Sequence, residues 1–533
     1  MLRAVRFPWS MLISVTPNHN LTVDQHEEWM PRRRLMPATH GAGVTSLACK
    51  ISLQSSWKSV TLTDHSKIVG TAVSNIISRY LHEARLVQQK TRVRYTLAVL
   101  FAINLLNFYD RSIFGAVAEP IRKQWGLTDS QIGWLATAFT LLYAIVGLPM
   151  GRLSDKKRRS RLLSAGVAVW SLLTAASGWT WNFASMFAAR LGVGVGEAVC
   201  APAGNSLIGD LFPAAKRGWA LSIFQLGLPV GYLLGGVVSG HVAASHGWRW
   251  AFFVAFLPGL LVALLARWVL DPVRGASEVS PQAGRSHEGN PYWAVLRVPT
   301  VCWIIVTGAL YNFNSYTYVT FLPAYLSRYH GLNLSHANVV FAIVFGAFGV
   351  IGLLAGGWAA DRISHHRRSG RLLVGGVSLL LSAVSVYFAL NLPPGQVTWF
   401  TIVMGTASML AYLYYPCVYA TIMDVVQPGL RGTAMSLYFM AMYLFGGSFG
   451  PVIVGKLSDH FARQATQKLG AVTMTETARS AGLHSAMYAL VVCSVLVAVA
   501  LFGAARTVAK DMGELQSWMT LPHVEPVAAQ GQG

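Results

Sequence analysis

Twelve apolar runs, each of a length that can cross a lipid bilayer, constrain this chain more than any other feature of its sequence. A bilayer core about 30 Å thick requires about 20 apolar residues of helix. Because lipid offers no partners to backbone N–H and C=O groups, such runs satisfy their hydrogen bonds as helices. The sequence therefore predicts an all-α membrane protein with twelve transmembrane helices. The predicted spans are Tyr95–Val117, Ile132–Met150, Leu162–Thr180, Phe183–Gly209, Trp219–Val242, Trp250–Leu270, Thr300–Tyr325, Ala337–Ala359, Leu372–Leu392, Val397–Met423, Thr433–Lys456 and Leu483–Ala505.

The distribution of Lys and Arg predicts how the chain is oriented in the membrane. Only 12% of the residues are charged and the net charge is +21, but the basic residues cluster in the tails and in short loops. The loop GRLSDKKRRSRL after the second span is strongly basic, whereas the loops around SGWTWNFAS and LPPGQVTW contain no Lys or Arg. The positive-inside rule then places both termini in the cytoplasm. We interpret the positive net charge as the signal that orients the chain in the membrane, and we expect no nucleic-acid partner. The sequence predicts a multi-pass protein of the plasma (inner) membrane.

Internal repeats divide the chain into two halves. DLFPAAKRGWALSI (Asp210–Ile223) matches DVVQPGLRGTAMSL (Asp424–Leu437), and GRLSDK (Gly151–Lys156) matches GWAADR (Gly357–Arg362), in the same order. Parallel repeats of six helices, with a binding site between them, are typical of secondary transporters. The fold prediction is thus two pseudo-symmetric six-helix bundles. The predicted domains are a largely disordered cytoplasmic extension (1–94), the first bundle (95–270), a cytoplasmic linker (271–299), the second bundle (300–506) and a cytoplasmic tail (507–533).

The sequence leaves two interpretations of the N-terminal extension (1–94) open: a membrane-surface helix or a segment without function. Apolar residues from Val69 to Leu81 recur at a spacing of three and four, which indicates a short amphipathic helix. Such a helix could lie on the cytoplasmic membrane surface. The whole extension could equally be dispensable, or come from a misplaced translation start.

Four charges lie deep inside the predicted spans: Asp110, Arg111, Arg190 and Glu197. Intramembrane charges are costly and mark ion pathways. Asp110 and Arg190 each lie seven residues from the outer end of their span, so both sit about 10 Å deep and can form a salt bridge. We therefore expect Asp110 to face Arg190, Arg111 to point toward the substrate path, and Glu197 to lie two turns below Arg190. Asp110, Glu197 and Arg190 are the predicted proton-coupling residues; the alternative is a purely structural ion pair, with Arg190 snorkelling outward.

The second half carries aromatic and neutral polar residues instead of charges. Spans seven and ten are rich in tyrosine and asparagine, and one helix face of each must turn inward. A charged half opposite an aromatic half suits an amphipathic organic anion better than a free sugar. The predicted substrate-binding residues are Arg111, Asn107, Tyr311, Asn314, Tyr316, Tyr412 and Tyr415.

These motifs resemble those of the major facilitator superfamily. The loop motif G-x-x-x-D-[RK] occurs in both halves, and NFYDR (Asn107–Arg111), RLGVGVGEA (Arg190–Ala198) and DLFPAAKRGWALSIFQLGLPVG (Asp210–Gly231) resemble the spinster-like branch. The resemblance implies the fold of that superfamily, and carriers of lysolipids and sphingoid phosphates linked to protons. It also implies a gate on the cytoplasmic side. The predicted gating residues are Gly151, Asp155, Lys156, Gly357, Asp361, Arg362, Arg217 and Arg431.

The predicted function is a proton-coupled secondary transporter that moves a small amphipathic organic anion or a lysolipid-like substrate by alternating access. The alternatives are a general carrier of organic anions, sugar acids or drugs, and a sensor on the same fold that does not transport. No phosphate-binding glycine loop, metal cluster or nucleophile elbow indicates an enzyme. We expect no cofactor and no metal, and as partners the lipid bilayer, a small-molecule substrate and protons, with the protein a monomer. GLPVGYLLGG (Gly227–Gly236) departs from the antiporter pattern that GGSFGP (Gly446–Pro451) keeps, so exchange and co-transport both stay open.

Overall fold

Helices joined by short connections make up the chain wherever the computed structural model describes it, at residues 62–273, 290–364 and 367–520. The side chains of residues 62–86, 148, 151–152, 155–156, 214–215, 360–361, 364 and 519–520 lie outside this description. The helices before residue 274, called the first half below, are α1 (Leu62–Trp125), α2 (Asp129–Lys156), α3 (Arg159–Gly178), α4 (Phe183–Glu197), α5 (Cys200–Leu211), α6 (Ala214–His246) and α7 (Trp248–Ala266). After the short helix α8 (Pro291–Leu296), the helices of the second half are α9 (Pro299–Tyr329), α10 (Leu334–Ala342), α11 (Phe348–Ser364), α12 (Gly370–Leu390), α13 (Val397–Tyr412), α14 (Tyr414–Val425), α15 (Arg431–Ala441), α16 (Ser448–Lys468) and α17 (Glu476–Thr520).

All twelve predicted spans coincide with helical segments, and the third, sixth and ninth extend two to four residues past the ends of α3, α7 and α12. Ten helical stretches of the described residues are long and apolar enough to cross a membrane. The two other predicted spans coincide with α3 and α9, in which Ser, Thr, Asn and Tyr reduce the hydropathy. The prediction of an all-α membrane protein is confirmed.

The predicted domain boundaries are not tested by the helix limits, but three of them fall close to structural features. Residues 1–61 of the extension lie outside the described residues, while α1 already begins at Leu62. Residues 274–289 of the linker also lie outside the description, and α8 occupies its far end. The last helix, α17, continues past residue 506 to Thr520. The packing described below lies within the compact unit that begins at Ser78.

Two helices of spanning length are interrupted at equivalent places in the repeats. The fourth span breaks between α4 and α5 at residues 198–199, and the tenth breaks between α13 and α14 at Leu413. Each break lies three to four residues before a proline, Pro202 or Pro416. Proline has no N–H to donate and its ring collides with the carbonyl four residues earlier, so a helix kinks or breaks there. The first of these breaks directly follows Glu197.

Close helix packing also repeats between the halves. Gly231 of α6 lies against the carbonyl of Leu105 in α1, and Gly446 lies against the carbonyl of Ala309 in α9. A Cβ atom at either glycine would collide with the facing carbonyl. Small residues let membrane helices approach closely, and that approach supplies their packing energy. At these two positions the glycine-rich stretches of the sequence therefore act as packing surfaces.

A π-helical turn interrupts two other spans of the second half. Ile343–Ala347 separates α10 from α11, and Met442–Gly447 separates α15 from α16. The extra residue of a π turn leaves carbonyls without their usual partners, and such turns are frequent at functional sites. Two side chains satisfy carbonyls of the second turn: Asn312 donates to Met442 O at 2.9 Å and Ser448 donates to Tyr443 O at 3.0 Å.

Candidate functional site

A buried ion pair joins the first and fourth spans at the centre of the molecule. Arg111 Nε donates to Glu197 Oε2 at 3.1 Å, and Asn107 Nδ2 donates to the same oxygen at 2.7 Å. Both members of the pair are at most 4% exposed. Glu197 can reach α1 because Gly194 and Gly196, just before it, allow α4 to press against the backbones of α2 and α3. The glycine pattern of RLGVGVGEA thus positions this carboxylate.

The same arginine crosses to the second half. Arg111 Nη1 donates to the hydroxyl of Tyr316 at 2.8 Å and to that of Tyr443 at 3.1 Å. Its guanidinium carbon also lies 4.8 Å from the ring centroid of Phe139 and 5.0 Å from that of Tyr143. Aromatic faces stabilise a cation, most strongly when water is excluded. Arg111 therefore connects the halves, as well as facing Glu197 within the first half.

The expected salt bridge between Asp110 and Arg190 is absent from the described residues. Asp110 accepts a hydrogen bond from Thr174 at 3.2 Å, and its Oδ1 has no partner. Arg190 lies 5.5 Å from the ring centroids of Phe114 and Phe139, and its Nε is buried without a partner. The similar depth predicted for these two residues is not sufficient for pairing, because the direction in which each helix face points also decides which side chains meet. The carboxylate with an arginine partner is Glu197.

Both arginines line one small cavity between the halves. Arg111 and Arg190 form its polar side together with Tyr316, and apolar atoms of both halves complete it. An arginine presents five N–H donors in a fixed fork that matches a carboxylate or a phosphate. Arg190 forms no salt bridge with any described carboxylate, so its guanidinium can donate to an anionic group in this cavity. The other lining residues are Phe114, Gly115, Ala136, Phe139, Val319 and Thr320.

Three further predicted binding residues line a second cavity, inside the second half. Tyr311, Asn314 and Tyr412 contribute to this cavity, which contains about 490 Å³ of space not filled by protein atoms, open solvent included. Tyr415 packs edge-on against Tyr311 with ring centroids 5.1 Å apart. Asn314 also donates to Ser494 Oγ at 2.8 Å, so part of its role is to hold α9 against α17. Residues of α9 line both cavities: Tyr311 and Asn314 line this one, and Tyr316 lies on the side of the arginines.

A network of charges closes the end of the molecule that contains the connections 126–128 and 330–333, the predicted outer end. Arg328 of α9 donates two hydrogen bonds of 2.8 Å to Asp129 and one of 2.8 Å to Glu119. Asp459 accepts from the backbone N–H groups of Asp129 and Ser130 at the N-terminus of α2. A carboxylate at this position is favoured by the helix dipole. We call Glu119, Arg122, Asp129, Arg328, Asp459 and Glu476 the outer network; Arg122 joins it by donating to Glu119 and Glu476 at 2.8 Å.

The predicted gating residues lie at the opposite end, and the structure describes only some of them. The side chains of Gly151, Asp155, Lys156 and Asp361 lie outside the described residues. Arg217 donates to Gly209 O at 3.0 Å, and Arg362 lies 5.9 Å from the ring centroid of Trp358. Arg431 begins α15, and Gly357 faces open space. Their gating role stays a prediction.

Sequence reasoning missed one ion-paired arginine in each half, Arg159, which is buried, and Arg371, which is partly exposed. Arg159, at the start of α3, donates to Asp210, to Ser206 and to Asp271, and is 1% exposed. Arg371, at the start of α12, donates to Asp424. The repeat alignment had matched Asp210 with Asp424. The arginine partners of these two aspartates could have been predicted by comparing the basic residues at the start of the third span with those at the start of the ninth span, its repeat.

The outer network was missed for a different reason. Its members lie at the ends of spans, where a charge can reach water and therefore carries little information from sequence alone. Only their convergence from α1, α2, α9, α16 and α17 shows that they act together, and convergence is a tertiary property.

Comparison with known proteins places these features in a family context. A model of the Major Facilitator Superfamily matches residues 100–451. The chain is 30% identical over 382 residues to an MFS-type efflux pump of Mycolicibacterium smegmatis, a match that covers 70% of this chain and 86% of that protein. It is 30% identical over 390 residues to protein spinster homolog 1 of Homo sapiens, which covers 69% of this chain and 73% of that protein.

A solved structure shares both the fold and part of the sequence. It is a bacterial homolog of the human lysosomal transporter Spinster, in an inward-facing and unoccupied conformation. The TM-score is 0.69 with 27% sequence identity, over 79% of this chain and 98% of that chain.

Proposed function

The chain belongs to the Major Facilitator Superfamily, in its spinster-like branch, and we propose from that premise that it is a proton-coupled secondary transporter working by alternating access. Its cargo is a small amphipathic organic anion or a lysolipid-like molecule. The observation that carries this proposal is the cavity between the halves, where Arg111 and Arg190 lie beside Tyr316. Ligand sites combine apolar walls with a few charged or polar groups that fix orientation. Two arginines beside aromatic walls suit a negative head group on an apolar body.

Proton coupling follows from a competition for Arg111. In the present conformation Glu197 takes one N–H of its guanidinium, and two tyrosine hydroxyls of the second half take another. Protonation of Glu197 removes the charge that holds the guanidinium, which can then bind an anionic cargo bidentately. A ligand shifts a conformational equilibrium only through contacts that differ between the states. Because Arg111 also contacts Tyr316 and Tyr443, its transfer to the cargo changes the contacts between the halves.

Asp110 and Arg190 complete the proposed coupling machinery. Asp110 is the second proton site, one residue before Arg111 in α1, and Arg190 is the second contact for the anionic group of the cargo. Asn107 positions Glu197 through its 2.7 Å hydrogen bond. The apolar part of the cargo extends toward the tyrosines of the second half, Tyr311, Tyr412 and Tyr415, with Asn314 behind them.

We propose that the loop residues between the second and third spans, and their repeat between the eighth and ninth, close the inner end. Asp155 and Asp361 are acidic residues in otherwise basic loops, and Arg217 and Arg431 start the helices that follow the fourth and tenth spans. Asp155→Asn should slow transport while membrane insertion stays normal. Wild-type kinetics in this variant would rule out the gate.

The proposed setting is a monomer in the plasma (inner) membrane with both termini in the cytoplasm. A cysteine introduced at Arg367, which is exposed in the connection between α11 and α12, should react with a membrane-impermeant reagent only from the cytoplasmic side. A cysteine at Lys156 should behave in the same way. Labelling of either position from outside the cell would reverse the proposed orientation.

Transport by purified protein in liposomes tests the function directly. Lysolipids, sugar acids and cationic and anionic drugs would be offered with and without a pH gradient, using liposomes without protein as the baseline. We expect accumulation of an anionic amphiphile that depends on the gradient, and loss of this accumulation in Arg190→Gln. Accumulation of sugar acids or drugs alone would favour the general carrier, which the similarity to an efflux pump also makes a candidate. Binding without any transport would favour a sensor on the same fold.

A further inference from the structure

The cavity inside the second half is lined by three buried side chains that each keep one polar atom without a partner. Asn314, Tyr318 and Ser408 line this cavity, and each is at most 8% exposed. The Oδ1 atom of Asn314 and the hydroxyl oxygens of Tyr318 and Ser408 make no hydrogen bond with any described residue. A buried polar group without a partner is costly. Three such groups around one cavity indicate that the cavity takes a ligand with hydrogen-bonding capacity.

The remaining hydrogen bonds of these side chains show which groups stay available. The amide nitrogen of Asn314 donates to Leu490 O at 3.1 Å and to Ser494 Oγ at 2.8 Å, so the part of this side chain that is left is an acceptor. Tyr318 and Ser408 each carry a hydroxyl, which can donate one hydrogen bond and can also accept. The three groups therefore offer both donors and an acceptor. A hydroxyl, which itself donates and accepts, is complementary to them.

The rest of the cavity wall is mainly apolar, and all of it is neutral. None of the residues that line this cavity is charged, so a charged group placed there would lack a compensating partner. Leu379, Val386 and Met404 form part of the apolar wall. Val344 and Phe345, which also line it, belong to the first π-helical turn of the second half, and such turns are frequent at functional sites. Ligand sites combine apolar walls of this kind with a few polar groups that fix orientation.

We propose that this cavity is a further binding site, which takes a neutral hydroxyl group carried on an apolar chain. All the residues that line it belong to the second half, so the site is distinct from the cavity that contains Arg111 and Arg190. The proposal goes beyond the proposed function, because it requires neither an anionic group nor proton coupling. Two sources present this chemistry: a separate uncharged amphiphile, and a hydroxyl at the apolar end of the cargo.

Photolabelling locates such a ligand and measures how strongly it binds. The purified full chain in lipid nanodiscs would be irradiated with octanol that carries a diazirine, and the labelled residues would be mapped by mass spectrometry. We expect labels on the cavity wall, for example on Leu379 and Met404. Excess 1-octanol should remove these labels at a concentration about 2- to 12-fold lower than octane does, compared at equal amounts in the lipid, because octane cannot form the hydrogen bond.

Two hydroxyl deletions and one control test the polar groups. Tyr318→Phe and Ser408→Ala should each weaken displacement by 1-octanol by about 2- to 12-fold and leave displacement by octane unchanged. Neither should lower the thermal midpoint, because neither hydroxyl bonds to a described residue. Ser382→Ala is the matched control, since Ser382 lines the same cavity but its hydroxyl already donates to Ala407 O at 2.8 Å. This control should have a lower thermal midpoint and keep the parent's advantage of 1-octanol over octane.

An anionic competitor separates the two sources of the hydroxyl. 12-Hydroxydodecanoate has a carboxylate at one end and a hydroxyl at the other, whereas dodecanoate lacks the hydroxyl. In both cases the hydroxylated acid should remove the label at a lower concentration than dodecanoate. If the hydroxyl belongs to the cargo, Arg190→Gln should weaken displacement by 12-hydroxydodecanoate but not by 1-octanol. If it belongs to a separate amphiphile, Arg190→Gln should change neither.

The absence of labels from the cavity wall, or equal displacement by 1-octanol and octane, would overturn the proposal. An advantage of 1-octanol that survives in both Tyr318→Phe and Ser408→Ala would also overturn it. Failure of proton-coupled transport, or of anion binding at Arg190, would leave the labelling by the diazirine-bearing octanol unaffected. The site in the second half and the proposed function therefore fail independently.

Discussion

At the scale of single residues, Asp110 and Glu197, the two buried carboxylates of the first and fourth spans, differ in what stabilises their charge. Glu197 accepts from Arg111 and Asn107, whereas Asp110 accepts only from Thr174 and has no ion pair within the described residues. A buried charge without a paired partner is costly. Asp110 is therefore the carboxylate whose charge is least compensated in this conformation, and the one most sensitive to a change in its surroundings.

Asp110→Asn should abolish the accumulation of cargo driven by a pH gradient while exchange of cargo across the membrane continues. The amide keeps an acceptor for Thr174 but cannot take up a proton, so binding is retained and coupling is lost. Thr174→Val is the matched control, because it removes one hydrogen bond, worth about 1 kcal/mol, and leaves the carboxylate in place. Accumulation and exchange would both be measured in liposomes. Gradient-driven accumulation by Asp110→Asn at the wild-type level would show that Asp110 is structural.

Arg190→Gln and Arg111→Gln should separate cargo binding from stability. Arg190 has no carboxylate partner, so its loss should weaken binding of an anionic cargo by about 10- to 150-fold, the equivalent of about 1.5 to 3 kcal/mol for a bond to a charged group. The thermal midpoint should change little. Arg111→Gln leaves the buried Glu197 without its salt-bridge partner. Removing one partner of a buried pair costs about 3 to 5 kcal/mol, so the thermal midpoint of this variant should fall clearly. Equal effects of both variants on stability would contradict this assignment.

At the scale of elements, helix existence could be predicted from the sequence, but helix interruptions could not. Apolar length decides whether a segment spans a membrane, and every predicted span is helical in the structure. The apolar run is continuous through the break after Glu197 and through the π turn at Met442–Gly447, so hydropathy carries no trace of either. Pro202 and Pro416 were the only local signals of the two breaks. Likewise, the rarity of charges in spans identified Asp110, Arg111, Arg190 and Glu197, while their pairing depends on helix rotation and could not be read from spacing.

Gly115→Ala should destabilise the closed outer end specifically. Gly115 of α1 lies directly against the carbonyl of Val319 in α9, so a Cβ atom cannot be accommodated unless the two helices move apart. Overpacking of this kind costs about 1 to 3 kcal/mol, and here the cost falls only on the state in which the halves meet. The measurement uses a variant whose five native cysteines are replaced by alanine, in which Val319→Cys, at a position that lines the cavity between the halves, reacts with an external membrane-impermeant maleimide. Its rate divided by that of the exposed Gln464→Cys, the normalised labelling rate, should rise by about 5- to 150-fold.

Gly147→Ala is the matched control for this experiment. It adds the same methyl group to α2 at a position with no atom of another segment in contact, and should leave the rate unchanged. Equal labelling of both variants would show that the contact between α1 and α9 does not limit opening.

At the scale of the whole molecule, the ion pairs at the two ends differ in what they join. The outer network joins both halves through Arg328, Asp129 and Glu119, whereas two arginines at the opposite end pair within their own halves, Arg159 with Asp210 and Arg371 with Asp424. Bonds within a half survive a rocking motion of the halves, and bonds between halves do not. In the proposed alternating-access cycle, the outer network would therefore break in each cycle, and its strength would set how long the outer end stays closed.

Asp129→Asn should shift the protein toward the state that is open at the outer end. Asp129 is 2% exposed and accepts from Arg328 twice and from Ser458 once, so its replacement leaves the buried Arg328 with Glu119 as its remaining carboxylate partner in the closed state. A hydrogen bond to a charged group contributes about 1.5 to 3 kcal/mol, which corresponds to a rise of about 10- to 150-fold in the normalised labelling rate of Val319→Cys. Glu476→Gln removes a network carboxylate whose side chain is 60% exposed, and a surface pair is worth at most about 1 kcal/mol, so this control should change the rate by no more than about fivefold. If the two variants labelled at the same rate, burial would not be what gives Asp129 its role, and closure would have to rest on the helix packing around Gly115 instead.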